Sequence, residues 1–349
     1  MSVAEAAVTV VGLVAAVALA WWLTGVARSR AIEYRVLDLP NERSSHDRPT
    51  PRGGGLAIVL TATVGFVVLA ACKHLDARPL VALLGGIPIA VVGFADDVRE
   101  LRASIRLAAH VATALWAVAW LGGLPDLPIG GRVLALGAGG YLVASLVIIW
   151  SVNLFNFMDG IDGIAGMEAV FVALTGGILI TATGESHGIA TAALMLAAAC
   201  AGFLRWNWPP AKVFMGDVGS GYVGYVLAVL ALASAHEHAA SVWVWLILGG
   251  VFFVDATATL MRRLIRGERV HEAHRSHAYQ WLARRWGSHL RVTLAALMLN
   301  VLWLLPCAIY AALHPADALS AAAVALAPLA VMALIAGSGR REATQRNNS

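Results

Sequence analysis

The chain has 349 residues, 59% of them hydrophobic and 13% charged, with a mean hydropathy of +0.74. A soluble domain carries about 25% charged residues, so this composition excludes an ordinary globular fold and points to an integral membrane protein. The formal charge of +4 and the pI near 9.2 come without a basic-aromatic stripe, which argues for membrane orientation and against nucleic-acid binding.

Apolar runs long enough to cross about 30 Å of hydrocarbon fall at 4–26, 55–72, 79–95, 105–122, 134–152, 164–183, 187–204, 219–236, 241–261, 290–313 and 317–336. These predict an all-α, polytopic bundle of about 11 transmembrane helices in a single domain, 1–349. The runs are long and continuously apolar, unlike the short alternating strands of a membrane barrel. The first run lacks a basic leader and ends on "WWLTGVARSR", an interfacial Trp pair followed by arginines, so it is expected to stay as a helix. Cys72, Cys200 and Cys307 lie in or beside apolar runs without CxxC spacing and read as packing residues.

Eleven spans place the loops at 27–54, 96–104, 153–163, 205–218 and 262–289, together with the tail from 337, on one face. Those segments and their edges hold 22 of the 25 Lys and Arg residues and leave only Lys73, Arg78 and Arg132 for the other side. By the positive-inside rule the basic face is cytoplasmic, with the amino terminus out and the carboxyl terminus in.

The polar residues sort the same way. The outward connectors are short and unpatterned, whereas the cytoplasmic loops carry "DLPNERSSHDRPTPRGGG", "GFADDVRELR", "NLFNFMDGIDGIAG", "RWNWPPAKVFMGDVGSG" and "RRLIRGERVHEAHRSHAYQW". Asp96, Asp97, Asp159, Asp162 and Asp217 are hard oxygen donors suited to Mg²⁺ or Mn²⁺ rather than zinc. Acids alone would repel a phosphorylated substrate, so acids interleaved with arginines, histidines and glycines suggest metal-assisted phosphoryl chemistry. Each cluster also has an ordinary reading: "DD" as a solvated helix end, Asp-Gly as a turn, His271, His274 and His277 as interfacial base. Their co-occurrence on one face favours a reaction site. A transporter would instead need charges near the midplane, and only Asp255 and Glu168 approach it; Asp255 reads as structural or site-supporting. A non-catalytic assembly scaffold is the third reading.

"ADDV", "NLFNFMDGIDGIAG", "NWPPAKVFMGDVGS" and the His-containing basic loop, in that order, resemble the polyprenyl-phosphate N-acetylhexosamine-1-phosphate transferase superfamily over nearly the whole chain. The resemblance implies transfer of a sugar-1-phosphate from a UDP-sugar to undecaprenyl phosphate, with Mg²⁺ and release of UMP, in the bacterial inner membrane with the site on the cytoplasmic face. It implies Asp217 as the metal ligand, assisted by Asn156, and Asp96 and Asp97 as the aspartate pair near the acceptor phosphate. Asn153, Asn156, Asp159, Asp162 and Asn207 match the polar wall of the nucleotide cleft, and Phe214 the aromatic that packs on uracil. His46 and Arg48 match the first cytoplasmic loop, and Arg275 and His277 the basic/histidine pair of the last one. It leaves a homodimer open.

Two departures stand out. The last loop reads "HRSHAYQ", with Tyr279 and Gln280 where relatives carry further histidines, which implies the branch that initiates O-antigen or other surface polysaccharides rather than the muramoyl-pentapeptide branch. The aspartate pair is followed by "VRE" rather than the extended DDxxD form, so the metal is expected on Asp217 rather than on the pair.

Overall fold

The computed structural model describes residues 3–38, 49–129, 132–184, 186–268 and 275–340. His46 and Arg48 therefore lie outside the described residues, as do His271 and His274.

Fifteen α-helices make up almost all of this structure. In chain order they are α1 (Val3–Glu33), α2 (Leu56–Ala71), α3 (Ala77–Leu84), α4 (Gly86–Val98), α5 (Ala103–Leu121), α6 (Gly139–Met158), α7 (Ile164–Thr183) and α8 (His187–Asn207). There follow α9 (Asp217–His236), α10 (Val242–Leu248), α11 (Gly250–Ile265), α12 (Ala278–Trp286), α13 (His289–Leu299), α14 (Leu305–Leu313) and α15 (Ala318–Ala336). Two short antiparallel ladders are the only strands among the described residues: β1 (Leu37–Asp38) with β2 (Thr50–Pro51), and β3 (Leu127–Ile129) with β4 (Arg132–Leu134).

The protein is an all-α polytopic membrane protein. Nine helical segments of the described residues are long and apolar enough to span by themselves. The run at 241–261, expected as one span, is instead the pair α10–α11, bent by 81°. The Gly249-Gly250 dipeptide at the junction explains the break, because glycine is the weakest ordinary helix former and a common site of kinks. Helix α2 has 16 residues, about 24 Å at 1.5 Å per residue, and is shorter than a full hydrocarbon crossing.

Helix α9 is the axis of the bundle. It packs against α2, α3, α4, α5, α6, α7, α8 and α10, and Tyr222, Val223, Tyr225, Val226, Val229 and Leu230 are completely buried. An apolar helix surrounded on all sides must satisfy its few polar atoms internally. Tyr222 and Thr63 share a hydroxyl-hydroxyl hydrogen bond at 2.8 Å, and the Tyr225 hydroxyl donates to the Ala82 carbonyl at 2.8 Å. Helices α1 and α2 flank α8 on one side, and α10, α11, α14 and α15 form a second group beyond α7.

The connectors segregate to the two ends as the sequence predicts. At one end, the Gly123 carbonyl accepts from His236 Nε2 at 2.7 Å, and the Thr183 hydroxyl donates to the Ala239 carbonyl. At the other end, the described parts of the polar loops interlock. Three of the expected loop boundaries shift: Asp96 and Asp97 lie in the last turn of α4, Asn153 and Asn156 on the last turns of α6, and Asp217 opens α9. Helices carry these polar groups beyond the apolar runs because backbone hydrogen bonding continues after the side chains turn polar.

Candidate active site

The site is built on the amino terminus of α9. The first N–H groups of a helix have no partner within it, and here the partner comes from another helix. Asp97 accepts from the backbone N–H of Asp217 at 3.0 Å and of Val218 at 3.1 Å. Its side chain is only 1% exposed, and a carboxylate at a helix amino terminus is favoured by the helix dipole as well. Gly216 makes this approach possible: its φ is +74°, and a Cβ there would run into the Asp97 carboxylate. Gly93 allows α4 to lie against α9, since a Cβ there would strike the Asp217 carbonyl. Expected beside the acceptor phosphate, Asp97 is in this structure a capping carboxylate with both oxygens committed to the backbone.

Asp96 faces the other way. It accepts from the Leu101 N–H at 2.6 Å and from Arg106 Nη1 at 2.7 Å. The same Arg106 nitrogen is 3.8 Å from Asp217 Oδ2, and Asp217 also meets the side chains of Asp96 and Asn156. Two carboxylates so close repel unless a proton or a cation lies between them, and in this structure Arg106 stands beside both. Arg52 completes the charge pattern, 3.0 Å from Asp38 and 3.9 Å from Asp97. Neither arginine stood out in the sequence, where both counted only as orientation charges. The signal for Arg106 was its place, ten residues after Asp96 in the first turn of the next helix.

The three aspartates separate by access. The side chains of Asp97 and Asp96 are 1% and 6% exposed, whereas that of Asp217 is 29% exposed. Asp217 is thus the carboxylate that an incoming cation can reach, with Asn156 beside it; Asn156 Nδ2 also donates to Ser220 Oγ at 3.4 Å. Among the described residues no three acidic, histidine or cysteine side chains converge as a closed metal cage. That open donor set still fits Mg²⁺, which takes one or two carboxylates and completes its shell with water and substrate phosphate oxygens.

The remaining residues sort into an open wall and a set of braces. Asn153, half-buried one turn before Asn156, meets His110 Nδ1 at 3.3 Å. Asp159 follows the last turn of α6, and burial first, then the nearby Asp217 charge, raise its carboxyl well above the ordinary range. Asp162 Oδ2 accepts from the Ala211 N–H at 3.0 Å, and Oδ1 lies 3.2 Å from His289 Nδ1. Asn207 is buried; it accepts from the Gly163 N–H and donates to the Val213 carbonyl, each at 3.0 Å. Expected in the nucleotide wall, Asn207 is therefore a brace that clasps the 160–163 turn to the 208–213 loop, and Asp162 ties both to α13. Phe214 is half-buried on a backbone pinned from two sides: its N–H donates to Pro51 and its carbonyl accepts from Gly54, at 2.8 and 2.9 Å.

The last loop repeats the capping device. Asp255, on α11, accepts from the N–H groups of Ala278 at 2.8 Å and Tyr279 at 3.1 Å and from the Ser338 hydroxyl at 2.7 Å. It caps α12 as Asp97 caps α9. His277 is the residue before α12, 2% exposed, stacked between Phe157 and Tyr279 with centroids 6.2 and 5.7 Å away. Its expected contact with substrate is not open in this structure, because the ring is enclosed. Arg275 is half-buried at the edge, its carbonyl accepting from Arg284. Tyr279 and Gln280 have internal duties: the Tyr279 hydroxyl donates to Phe157 at 2.9 Å, and Gln280 Oε1 accepts from the His277 N–H at 3.3 Å.

This geometry can be set beside known proteins. The model of glycosyl transferase family 4 matches residues 79–235, the stretch from α3 through α9 that carries Asp96, Asp97, Asp159 and Asp217. A probable undecaprenyl-phosphate N-acetylglucosaminyl 1-phosphate transferase of Bacillus subtilis is 30% identical over 273 residues, covering 76% of this chain and 75% of the relative. A decaprenyl-phosphate N-acetylglucosaminephosphotransferase of Mycobacterium tuberculosis is 30% identical, covering 81% and 78%. A phospho-N-acetylmuramoyl-pentapeptide-transferase of Moorella thermoacetica is 32% identical over a shorter 61% of this chain and 69% of its own. With its capped α9 and its aspartates in the matched stretch, the chain belongs to the polyprenyl-phosphate N-acetylhexosamine-1-phosphate transferase superfamily, glycosyl transferase family 4.

Proposed function

We propose that the protein transfers an N-acetylhexosamine-1-phosphate, or its 6-deoxy form, from a UDP-sugar to undecaprenyl phosphate and releases UMP. It does so in the bacterial inner membrane, amino terminus out, with the site on the cytoplasmic face. The observation that carries this reading is the meeting of Asp96, Arg106, Asn156 and the accessible Asp217 at the amino terminus of α9. The names of the B. subtilis and M. tuberculosis relatives support a polyprenyl phosphate acceptor and an N-acetylglucosamine donor.

Mg²⁺ held by Asp217 and Asn156 would neutralise the donor diphosphate. Around it, the residues of the chain position and balance charge. An acceptor phosphate oxygen attacks the β-phosphorus of the donor in line, forming one P–O bond as the bond to the UMP oxygen breaks. A phosphate monoester is already largely anionic near neutral pH, so the task is to bring two anions together rather than to remove a proton. Arg106 is the cation within reach, and Asp96 fixes its guanidinium. Asp97 positions Asp217 through the backbone rather than through chemistry. Phe214, beside the loop clasped by Asn207, offers a ring for the uracil.

The initiation of O-antigen or another surface polysaccharide, rather than muramoyl-pentapeptide transfer, is supported by the last loop. Tyr279 and Gln280, where the family resemblance implies further histidines, are built into the start of α12. Against the transporter reading, Asp255 is engaged in capping, and one oxygen of Glu168 accepts from Asn300 Nδ2 at 2.6 Å in the buried core. The test is purified protein with undecaprenyl phosphate, Mg²⁺ and a panel of UDP-N-acetyl sugars, with UMP release as the readout. Solute flux through proteoliposomes without UMP release would favour a transporter.

A further inference from the structure

Away from this site, α1 and the end of α8 frame a groove of about 440 Å³, lined among others by Trp21, Trp22, Val26, Arg30, Glu33 and Trp206. Trp206 is fixed across it, its indole N–H donating to the Trp21 carbonyl at 2.9 Å. Two cations gather on the Trp206 ring that lines it: Arg28 and Lys212 each lie 5.8 Å from the centroid. Arg28 Nε also donates to the Lys212 carbonyl at 3.3 Å, so the two charges are held together by the fold. Among the described residues no carboxylate pairs with either. Glu33, the acid in the lining, is already neutralised by Arg30 at 2.8 Å.

Like charges gathered on one indole call for an anion, and the three indoles with Val26 beside them call for a hydrocarbon chain. Tryptophans at such a place mark the membrane-water boundary, where basic residues meet anionic lipid headgroups. We propose that this groove binds one anionic phospholipid, its phosphate between Arg28 and Lys212 and an acyl chain along Trp21 and Val26. Lys212 stands two residues before Phe214. The bound lipid therefore fastens α1 to the loop that leads into α9, at a place separate from the aspartate cluster.

Native mass spectrometry of the detergent-purified protein, titrated in parallel with phosphatidylglycerol and phosphatidylcholine, tests this. The wild type should take up one phosphatidylglycerol at low concentration, about tenfold more readily than phosphatidylcholine, given two favourable basic contacts. The double variant Arg28→Gln/Lys212→Gln should lose that preference, and Lys212→Gln, which alters only an exposed side chain, should lose part of it. Arg99→Gln/Arg102→Gln, with the same change in net charge, should keep it. Inorganic phosphate at the same concentrations should not displace the lipid, because it has no chain to fill the groove; displacement would reduce the site to a phosphate site and overturn the proposal. Equal uptake of the two lipids by the wild type, an unchanged preference in Lys212→Gln, or equal losses in both double variants would also overturn it.

Discussion

Asp97 and Asp217 are joined through the backbone: the carboxylate of the first accepts the N–H of the second at 3.0 Å, so the helix that presents Asp217 starts where Asp97 holds it. Asp97→Asn keeps an oxygen acceptor but replaces the other oxygen by an NH₂ group that points at a donor. The expected loss is about 1–2 kcal/mol of stability, the usual value of a helix cap. Thermal unfolding in detergent should show a lower midpoint, and turnover should fall as Asp217 loses its position. An unchanged midpoint together with lost turnover would make Asp97 a reacting group after all.

Asp255 performs the same task for α12 with more partners, at 5% exposure. Asp255→Ala leaves two N–H groups and a hydroxyl without an acceptor in a buried place and should cost about 3 kcal/mol or more. A lowered yield of folded protein and a lowered unfolding midpoint are expected. If Asp255→Ala folds like the wild type but loses vectorial solute movement in proteoliposomes, the transporter reading returns.

Arg275 and His277 should part company. His277 is enclosed between aromatic rings, so His277→Ala should lower the unfolding midpoint and turnover together. Arg275 is half-buried at the loop edge, and Arg275→Ala should reduce turnover by about ten- to a thousandfold if it removes one charge contact to the donor, with Arg275→Lys intermediate because lysine lacks the bidentate fork. Kinetics in detergent decide the point: unchanged turnover in Arg275→Ala removes the loop from catalysis.

The half-buried Asp159 carboxyl gives a pH dependence. Its affinity for a proton is raised in the folded protein, first by burial and then by Asp217, so above the ordinary carboxylate value of about 4 the folded state holds more protons than the unfolded one. Linkage then requires stability to fall as pH climbs through that window. In chelator, the unfolding midpoint should decrease as pH rises above about 4, and Asp159→Asn should flatten the trend. A midpoint that rises with pH equally in both proteins would contradict this placement of Asp159.

Much of this was legible in the sequence because a membrane imposes long apolar runs, and each of the eleven recurs as a helix or a bent helix pair. The bend at Gly249 was hidden, since hydropathy does not record direction. The site's address was legible in its acids, glycines and asparagines gathered at one end. Their division of labour was not. Asp96, Asp97 and Asp217 are the same residue type, and only the approach of α4 to α9 past Gly93 and Gly216 makes one a cap, one an anchor for Arg106 and one an accessible carboxylate. Arg52 and Arg106 disappeared into the orientation charge, and Asn207 and His277 were expected to face substrate because polar residues in a motif suggest contact. In the fold both are buried where loops and helix starts need closing.

The most direct measurement is UMP release from UDP-N-acetylglucosamine by purified wild type and Asp217→Asn, each shown to be folded by its unfolding midpoint. Wild type should release UMP only when Mg²⁺, UDP-sugar and undecaprenyl phosphate are all present, and added UMP should drive the reverse reaction. Asp217→Asn keeps the size of the side chain and removes the charge that a cation needs, so turnover should drop by about a thousandfold or more. Near-normal UMP release by folded Asp217→Asn at ordinary Mg²⁺ would contradict the account.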